Sequence, residues 1–163
     1  CEGWSGTEPF GWKIETESTM HKMIWESEIP ENEQAIDAVA LKSEHAAQAL
    51  ELATLTRPGP FGIRTIELGE YFGYFEGSKL IAMAGERMCA GAFHEISGVC
   101  THPDFQGRGL AKKLMLKLIR RQMLRDKTSF LHVMSENIHA RHMYERMGFK
   151  HYRETIVRVV SKA

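Results

Sequence analysis

The sequence lacks a long apolar run, is poor in cysteine and carries no excess of either charge. No stretch is long and apolar enough to cross a membrane. The 3 cysteines are an odd number without a Cys-x-x-Cys spacing, so no disulfide framework is indicated and a reducing, cytoplasmic setting is predicted. The 21 basic residues balance the 21 acidic ones, which argues against non-specific nucleic-acid binding as the main task.

A complete metal-ligand set and a signal peptide are also missing. The 8 histidines invite a metal hypothesis, but no cluster has a familiar ligand spacing, so no metal site is predicted. The residues that raise the hypothesis are Cys89, His94, Cys100, His102 and the His139/His142 pair. Because the chain begins at Cys1 rather than Met, we expect a fragment or a processed product.

Length and composition fit one globular domain. The chain has 163 residues and 43% apolar content, enough to bury about two-thirds of its unfolded surface. Glycine, proline and tryptophan in residues 1–20 suggest an irregular arm. We therefore divide the chain into residues 1–30, an arm with a first strand, and residues 31–163, the main domain.

The pattern along the chain alternates helices and strands. Helices are predicted after Glu31, over residues 44–55 and from Leu110 onward, with a helical turn over residues 65–69. Strands are predicted over residues 21–29, 71–75, 79–87, 93–101, 128–134 and 150–160. Proline and glycine mark residues 57–62 as a loop.

The most informative segment runs from Val99 to Ala111 and reads as a strand end, a glycine loop and a helix start. Glycines allow sharp turns, and the free N–H groups of a first helical turn, aided by the helix dipole, attract negative charge. The alternative is a tight strand-to-helix connection without a ligand. The loop is therefore a candidate phosphate site.

A second segment makes the interpretation more specific. The motifs are Val-x-Thr at Val99, Gln-x-x-Gly-x-Ala from Gln106 to Ala111, and Asn-x-x-Ala-x-x-x-Tyr-x-x-x-Gly-Phe from Asn137 to Phe149. In this order and at this separation, the chain resembles the GNAT superfamily of acyl-CoA-dependent N-acyltransferases over residues 62–158. Residues 56–61, 65–69 and 130–133 are similar to a bacterial subgroup related to the carboxy-terminal half of glycine N-acyltransferases. The resemblance then implies that residues 1–30 are the remnant of a preceding half.

The resemblance implies a fold and an activity. The expected fold is α+β with α/β/α layers: a mixed, mostly antiparallel, twisted sheet of about six to seven strands, with a splayed strand pair that receives CoA. The expected activity is transfer of an acetyl or short acyl group from acetyl-CoA to a primary amine by direct attack in a ternary complex. The alternative is a non-catalytic CoA-binding module. Expected partners are acyl-CoA and an amine, without nucleic acid or membrane, for a monomer or homodimer.

The resemblance also assigns the CoA contacts. The diphosphate is expected on the backbone of Gly107, Arg108, Gly109, Leu110 and Ala111, with Gln106 at the start of the loop. Pantetheine is expected along Val99, Cys100 and Thr101 as an added strand, with the amide near Val99 facing the thioester oxygen. Asn137 is expected to contact the ligand, unless it is only an early-helix polar residue, and Ala140 to leave room for the CoA chain.

Tyr144 matches the family tyrosine and is the expected general acid for the departing thiolate. The alternative is a packed core aromatic, because Met143, Tyr144 and Met147 have helical spacing.

Glu95 is the candidate base. It lies eleven residues before Gln106, the separation at which several family members keep a strand glutamate. It shares strand parity with Val99, so both serve one cleft unless a bulge intervenes. The alternative is an ion pair with an arginine such as Arg87. Glu86, His94 and His132 are the competing bases.

The helix that follows the loop is rich in basic residues. They are Lys112, Lys113, Lys117, Arg120, Arg121 and Arg125. The pattern is typical of a solvated helix face, although a phosphate at the start of the helix would still interact with this charge.

Overall fold

The structure is a computed structural model that describes residues 3–4 and 6–163. Cys1 lies outside the described residues, whereas Cys89 is an exposed free thiol and Cys100 a buried one. Within the described part of the chain, no helix is both long enough and apolar enough to span a membrane.

The described residues form seven strands and three α-helices. The strands are β1 (Trp12–Trp25), β2 (Val39–Ala40), β3 (Tyr71–Glu76), β4 (Lys79–Ala90), β5 (Phe93–Thr101), β6 (Thr128–Met134) and β7 (Phe149–Lys162). The helices are α1 (Ala46–Thr56), α2 (Leu110–Met123) and α3 (Ile138–Met147). The strand order is β2-β3-β4-β5-β6-β1-β7, with β5 and β6 parallel and the β2 to β5 pairs antiparallel. The predicted α+β fold with a mixed sheet is confirmed.

The chain forms two compact units. We call Glu28–Phe130 the loop unit, because it contains the glycine loop, and the residues up to Ser27 together with Leu131–Ala163 the terminal unit. The boundary falls inside β6, so this strand contributes residues to both units.

The loop unit buries apolar side chains on both faces of its strands. On the face covered by α1, the α1 face, the core includes Leu52, Tyr71, Met83 and Cys100. On the opposite α2 face, α2 presents fully buried side chains at helical spacing. These are Leu114, Met115, Leu118 and Ile119. Each contributes about 2 kcal/mol of burial free energy, so α2 holds the loop that precedes it on a rigid support.

In the terminal unit, β1 and β7 form a long antiparallel pair, from Trp12 opposite Lys162 to Trp25 opposite Phe149. The rings of Trp25 and Phe149 meet edge to face with centroids 5.3 Å apart. Helix α3 ends at Gly148, whose φ is 124°, and a Cβ there would collide with Ser27. Only glycine fits this position.

Two sequence predictions near the N-terminus are wrong. Residues 31–38 form no helix, because Ala35 is left-handed with a φ of 54° and the segment is bound to α2 instead. Arg120 donates to the Pro30 carbonyl at 2.6 Å, and Lys117 pairs with Glu33 at 2.6 Å. These tertiary contacts outweigh local helix propensity.

The predicted irregular arm is also shorter than expected. β1 begins at Trp12 and ends at Trp25, before the predicted end at residue 29. Pairing with β7 explains this, because sequence-distant strands can order a segment whose own composition is loop-like. The domain division at residue 30 stays a prediction.

Candidate active site

The glycine loop joins β5 to α2. Pro103–Phe105 form a short 3-10 turn capped by His102, whose Nδ1 accepts the Asp104 N–H at 3.3 Å. Gly107 and Gly109 have φ values of 76° and 73°, in the left-handed region that side chains disfavour. A Cβ on either glycine would meet no described atom within 4 Å. The glycines are therefore required by the turn and leave open space beside the backbone.

Backbone amides converge where the loop becomes α2. The first helical hydrogen bond runs from the Lys113 N–H to the Gly109 carbonyl at 3.1 Å. The N–H groups of Leu110, Ala111 and Lys112 come before this bond, so no carbonyl within the helix accepts a hydrogen bond from them. With the positive end of the α2 dipole, they form a cradle suited to a phosphate or diphosphate.

Most basic residues of α2 serve the fold. Three are held by partners in the loop unit: Lys117 by Glu33, Arg120 by the Pro30 carbonyl and Arg121 by Glu70. Arg125, which follows the helix, is held by Glu86 and Glu70. The prediction of a solvated face is therefore wrong for the buried Lys117, whereas Arg121 and Arg125 are exposed as well as paired. Lys112 and Lys113, in the first turn, and Arg108, in the loop itself, are exposed, so their charges are available close to the cradle.

β5 has a free edge before the loop. Its parallel ladder with β6 pairs Phe93–Glu95 with residues 128–130 and ends there. Among the described residues, positions 96–101 have no ladder partner on that side. An extended ligand can add to this edge through main-chain hydrogen bonds. Val99, Cys100 and Thr101, along which the sequence analysis expects pantetheine, belong to this edge.

A bulge interrupts the other edge of β5. Ser97 and Cys100 pair with β4 residues that are only two positions apart. β5 therefore carries one extra residue, and Gly98 adopts a φ of 63° within the bulge. Gly98 and Val99 are left without a regular ladder position opposite β4.

The bulge reverses the expected side-chain parity. Glu95 shares the α1 face with Ser97 and Cys100, whereas Val99 lies on the opposite side of the strand. The expectation that Glu95 and Val99 serve one cleft by parity is therefore wrong. Burial raises the pKa of the Cys100 thiol to about 11, so its sulfur is not a nucleophile near neutral pH.

Glu95 forms the ion pair that the sequence analysis names as the alternative to a catalytic role. Arg87 donates from Nη2 to Oε1 at 2.6 Å and from Nε to Oε2 at 3.0 Å. Glu95 is 1% exposed, whereas the Arg87 side chain is 27% exposed. The hydrogen bonds to Glu95 raise the pKa of Arg87. The pair is bidentate and buried at one end, which fixes both side chains.

Glu86 lies on the α2 face in a fuller hydrogen-bond network. It accepts from Gln122 Nε2 at 2.9 Å and from Arg125 Nη2 at 2.8 Å, and His94 Nδ1 lies 3.8 Å away. Gln122 accepts in turn from Ser129 Oγ at 2.5 Å. Gln122 and Ser129 are both fully buried. These contacts account for Glu86 as a structural residue.

Tyr71 is a residue of this region that the sequence analysis places only in a strand. Its ring lies over Gly85, where a Cβ would collide with it, and reaches Gly98, where a Cβ would lie 3.4 Å from its hydroxyl. Phe61 contacts the ring edge to face with centroids 6.0 Å apart. The two glycines were visible in the sequence, but nothing in it indicates that they make room for the same ring.

The remaining predicted residues lie in the terminal unit. Tyr144 is 9% exposed and packs edge to face on Phe149 at 6.0 Å. Burial raises the pKa of Tyr144 to about 12, so it remains a phenol near neutral pH. Asn137 caps α3, its Oδ1 accepting the Ala140 N–H at 3.1 Å. The cap explains Asn137 without a ligand.

The structure thus groups the predicted residues in two sets. The loop unit holds Glu95, Val99, Cys100, Thr101 and Gln106 to Ala111, together with the competing bases Glu86 and His94. The terminal unit holds Asn137, Ala140, Tyr144 and His132. Within residues 3–4 and 6–163, no group of three or more His, Cys, Asp or Glu side chains could hold a metal ion.

Solved structures share the fold of this chain. A crystal structure of a GNAT-family protein from Novosphingobium aromaticivorans, assigned as an acetyltransferase, is 31% identical over 99% of this chain and 72% of its own, with a TM-score of 0.92. A GNAT-family acetyltransferase from Colwellia psychrerythraea has a TM-score of 0.70 at 20% identity over 91% of this chain and 58% of its own. This chain spans only part of either relative.

A more distant structure has a ligand. A protein from Mycobacterium tuberculosis, solved in complex with CoA, has a TM-score of 0.53 at 13% identity over 65% of this chain and 69% of its own.

No functionally curated protein matches the chain significantly. The family model described as FR47-like protein matches residues 71–159, more than half of the chain. The chain belongs to this FR47-like family and to the GNAT superfamily.

Proposed function

We propose that this chain transfers an acetyl, or another short acyl group, from acyl-CoA to a primary amine by direct attack in a ternary complex. The observation that carries the proposal is the glycine loop, which connects a free strand edge to the N-terminus of α2. Superfamily membership and the CoA complex of the M. tuberculosis protein support acyl-CoA as the donor.

CoA would bind through backbone groups of the loop unit. Its diphosphate lies on the amides from Gly107 to Ala111, with Gln106 at the start of the loop. Its pantetheine adds along the free edge of β5, next to Val99, Cys100 and Thr101. The bulge leaves the Val99 amide outside the regular β4 ladder, which supports it as the donor that polarises the thioester carbonyl.

The leaving thiolate needs a proton, and Tyr144 is the proposed source. The attacking amine forms a C–N bond, the C–S bond breaks, and the thiolate receives the phenolic proton. A phenol with a pKa of about 12 is a weak acid, so the proton moves as the C–S bond breaks and not before. The exposed fraction of 9% leaves the phenol packed, which favours a fixed orientation.

The attacking amine must lose a proton, and Glu95 is the proposed acceptor. A carboxylate has about four lone-pair positions, and the bidentate contact with Arg87 uses one on each oxygen. Its place in β5, four residues before Val99, supports Glu95 as the group that accepts the amine proton. His94 and His132 remain the competing bases, and the network around Glu86 counts against that carboxylate.

The first experiment tests the loop. We expect acetyl-CoA binding by calorimetry in the parent and a loss of about 100-fold in the double variant Gly107→Val/Gly109→Val, equivalent to two hydrogen bonds to a charged group. The matched control is Gly77→Val/Gly91→Val, because those glycines also have left-handed φ values, of 58° and 63°, and open space. Equal affinity in the two double variants would contradict the loop assignment.

A second measurement separates the enzyme from a non-catalytic module. Thiol release from acetyl-CoA is followed with ethanolamine, glycine, spermidine and a peptide with N-terminal alanine. Amine-dependent release supports acyl transfer. Tight acetyl-CoA binding without release for any amine would identify a binding module.

A further inference from the structure

We propose that the Tyr71 hydroxyl binds the amine nitrogen of the acceptor at the β5 bulge and so helps to determine which amines are accepted. This inference rests on the proposed acyl transfer. Its basis is a buried polar group without a hydrogen-bond partner in the described part of the chain, held beside the backbone where the thioester is expected.

The position of Tyr71 is strictly constrained. It pairs with Gly85 across β3 and β4, and Gly85 pairs with Ser97 across β4 and β5, so one row on the α1 face crosses three strands. A side chain at Gly85 would collide with the ring, and one at Gly98 would lie 3.0 Å from its Cε1. The two glycines let the ring extend across β4 until its hydroxyl reaches the bulge.

The hydroxyl itself is unsatisfied. Tyr71 is 2% exposed, and its oxygen has no hydrogen-bond partner among the described residues. Buried hydroxyls nearly always have a hydrogen-bond partner, because a buried hydroxyl without one destabilises the folded state. Burial also raises the pKa of Tyr71 well above its ordinary value, so the group stays a neutral phenol. It can therefore accept one hydrogen bond and donate another.

The surroundings favour an amine as the missing partner. Arg87 and Glu95 are close enough to act electrostatically on Tyr71, and Glu95 lies on the same face. An amine beside Gly98 would donate one N–H to the phenolic oxygen while a second N–H faces the Glu95 carboxylate. Its lone pair would then be free for the thioester carbon next to Val99.

Phe61 controls access to this position. Its ring packs on Tyr71, and a Cβ on Gly98 would lie 3.2 Å from its Cε2, so Phe61 and Tyr71 converge on the bulge. Phe61 is only partly buried and belongs to a loop between α1 and the following 3-10 turn. An acceptor reaches the hydroxyl by displacing this ring, which makes Phe61 a limit on acceptor size.

The test compares Tyr71→Phe with Tyr74→Phe. Tyr74 also has a buried hydroxyl, but by strand parity it lies on the opposite face, where it interacts with Asp37. With the amine from the panel above that the parent turns over fastest, we expect Tyr71→Phe to raise the acceptor KM about 10-fold. The acetyl-CoA Kd should not change, and the Tm should be equal or higher. Tyr74→Phe should leave the acceptor KM unchanged.

The outcomes distinguish a failure of this inference from a failure of the proposed acyl transfer. A parent that turns over an amine, with the same acceptor KM in Tyr71→Phe, overturns this inference and leaves the acyl transfer standing. A lower Tm in Tyr71→Phe overturns it too, since the hydroxyl would then have a structural partner. A parent that releases no thiol overturns the proposed function.

Phe61→Leu gives an independent check. The smaller side chain should raise kcat/KM for spermidine relative to ethanolamine, and an unchanged ratio counts against the inference.

Discussion

Two polar regions of the loop unit lie on opposite faces of the same strands and differ in how completely they are satisfied. On the α2 face, Glu86 has bonds from Gln122 and Arg125, and Gln122 is bonded in turn by Ser129. We call these four residues the Glu86 network. On the α1 face, the Tyr71 hydroxyl has no described partner.

The difference distinguishes buried polar groups that are hydrogen-bonded within the protein from a buried polar group whose hydrogen bond a ligand would supply. A fully satisfied polar network rigidifies a core, and removing one member leaves the others unpaired. An unsatisfied group costs stability in the free protein, so a ligand that completes it gains the corresponding free energy on binding. Substitutions in the Glu86 network should therefore change stability, and substitutions around the bulge should change turnover or KM.

The largest effect is expected from Glu86→Ala. The change leaves the fully buried amide of Gln122 without its acceptor and removes one partner of Arg125. We expect a loss of about 3 kcal/mol in the free energy of unfolding, measured by urea denaturation followed by circular dichroism.

Glu86→Gln is the control for that substitution. It retains a side-chain carbonyl for Gln122 and should lose less stability than Glu86→Ala. The remaining folded protein should keep the parent kcat. If Glu86→Gln were stable but inactive, Glu86 would be the base and the contrast between the two faces would fail.

The sequence predicts the fold better than it predicts the site geometry. Helical spacing and the glycine loop locate α2, and Pro and Gly locate the turn regions, because these signals are local. β1 was largely missed because its order depends on pairing with β7, at the far end of the chain. The helix expected after Glu31 was wrong for a similar reason, since Lys117 and Arg120 bind that segment from a distant helix.

At the site, motifs identify backbone roles but not side-chain orientation. The glycine pattern predicts the left-handed turns at Gly107 and Gly109. The bulge at Gly98 could not be read from the sequence, and it reverses the parity on which the argument linking Glu95 and Val99 depended. The similarity to glycine N-acyltransferases stays a prediction.

The second-largest effect is expected from Tyr144→Phe, which keeps the ring on Phe149 and removes only the hydroxyl. We expect kcat to fall roughly 10²-fold, the scale of a positioned acid, with an unchanged acetyl-CoA Kd. Since the pKa of Tyr144 is about 12, the phenol is protonated between about pH 6 and 10, and the loss should be uniform across that range.

The control for Tyr144 is Tyr152→Phe, because Tyr152 is an exposed tyrosine of the terminal unit. It should retain the parent kcat in the same thiol-release measurement. Full activity in Tyr144→Phe would make Tyr144 a core aromatic, as helical spacing alone suggests.

The smallest effect is expected from Glu95→Gln, because Arg87 already uses one lone pair on each carboxylate oxygen. We expect a roughly 10-fold loss of kcat, below the usual scale of a fully positioned base. The loss should be greatest at low pH, where the acceptor is protonated, and should shrink as rising pH supplies neutral amine. Arg87→Gln breaks the same pair and leaves a buried carboxylate without its cation, so it should lower the Tm. If Glu95→Gln instead lowers the Tm and depresses the rate equally at every pH, the glutamate is structural. The α1 face would then resemble the Glu86 network more closely than its unsatisfied tyrosine suggests, and the proton would go to His94, His132 or bulk water.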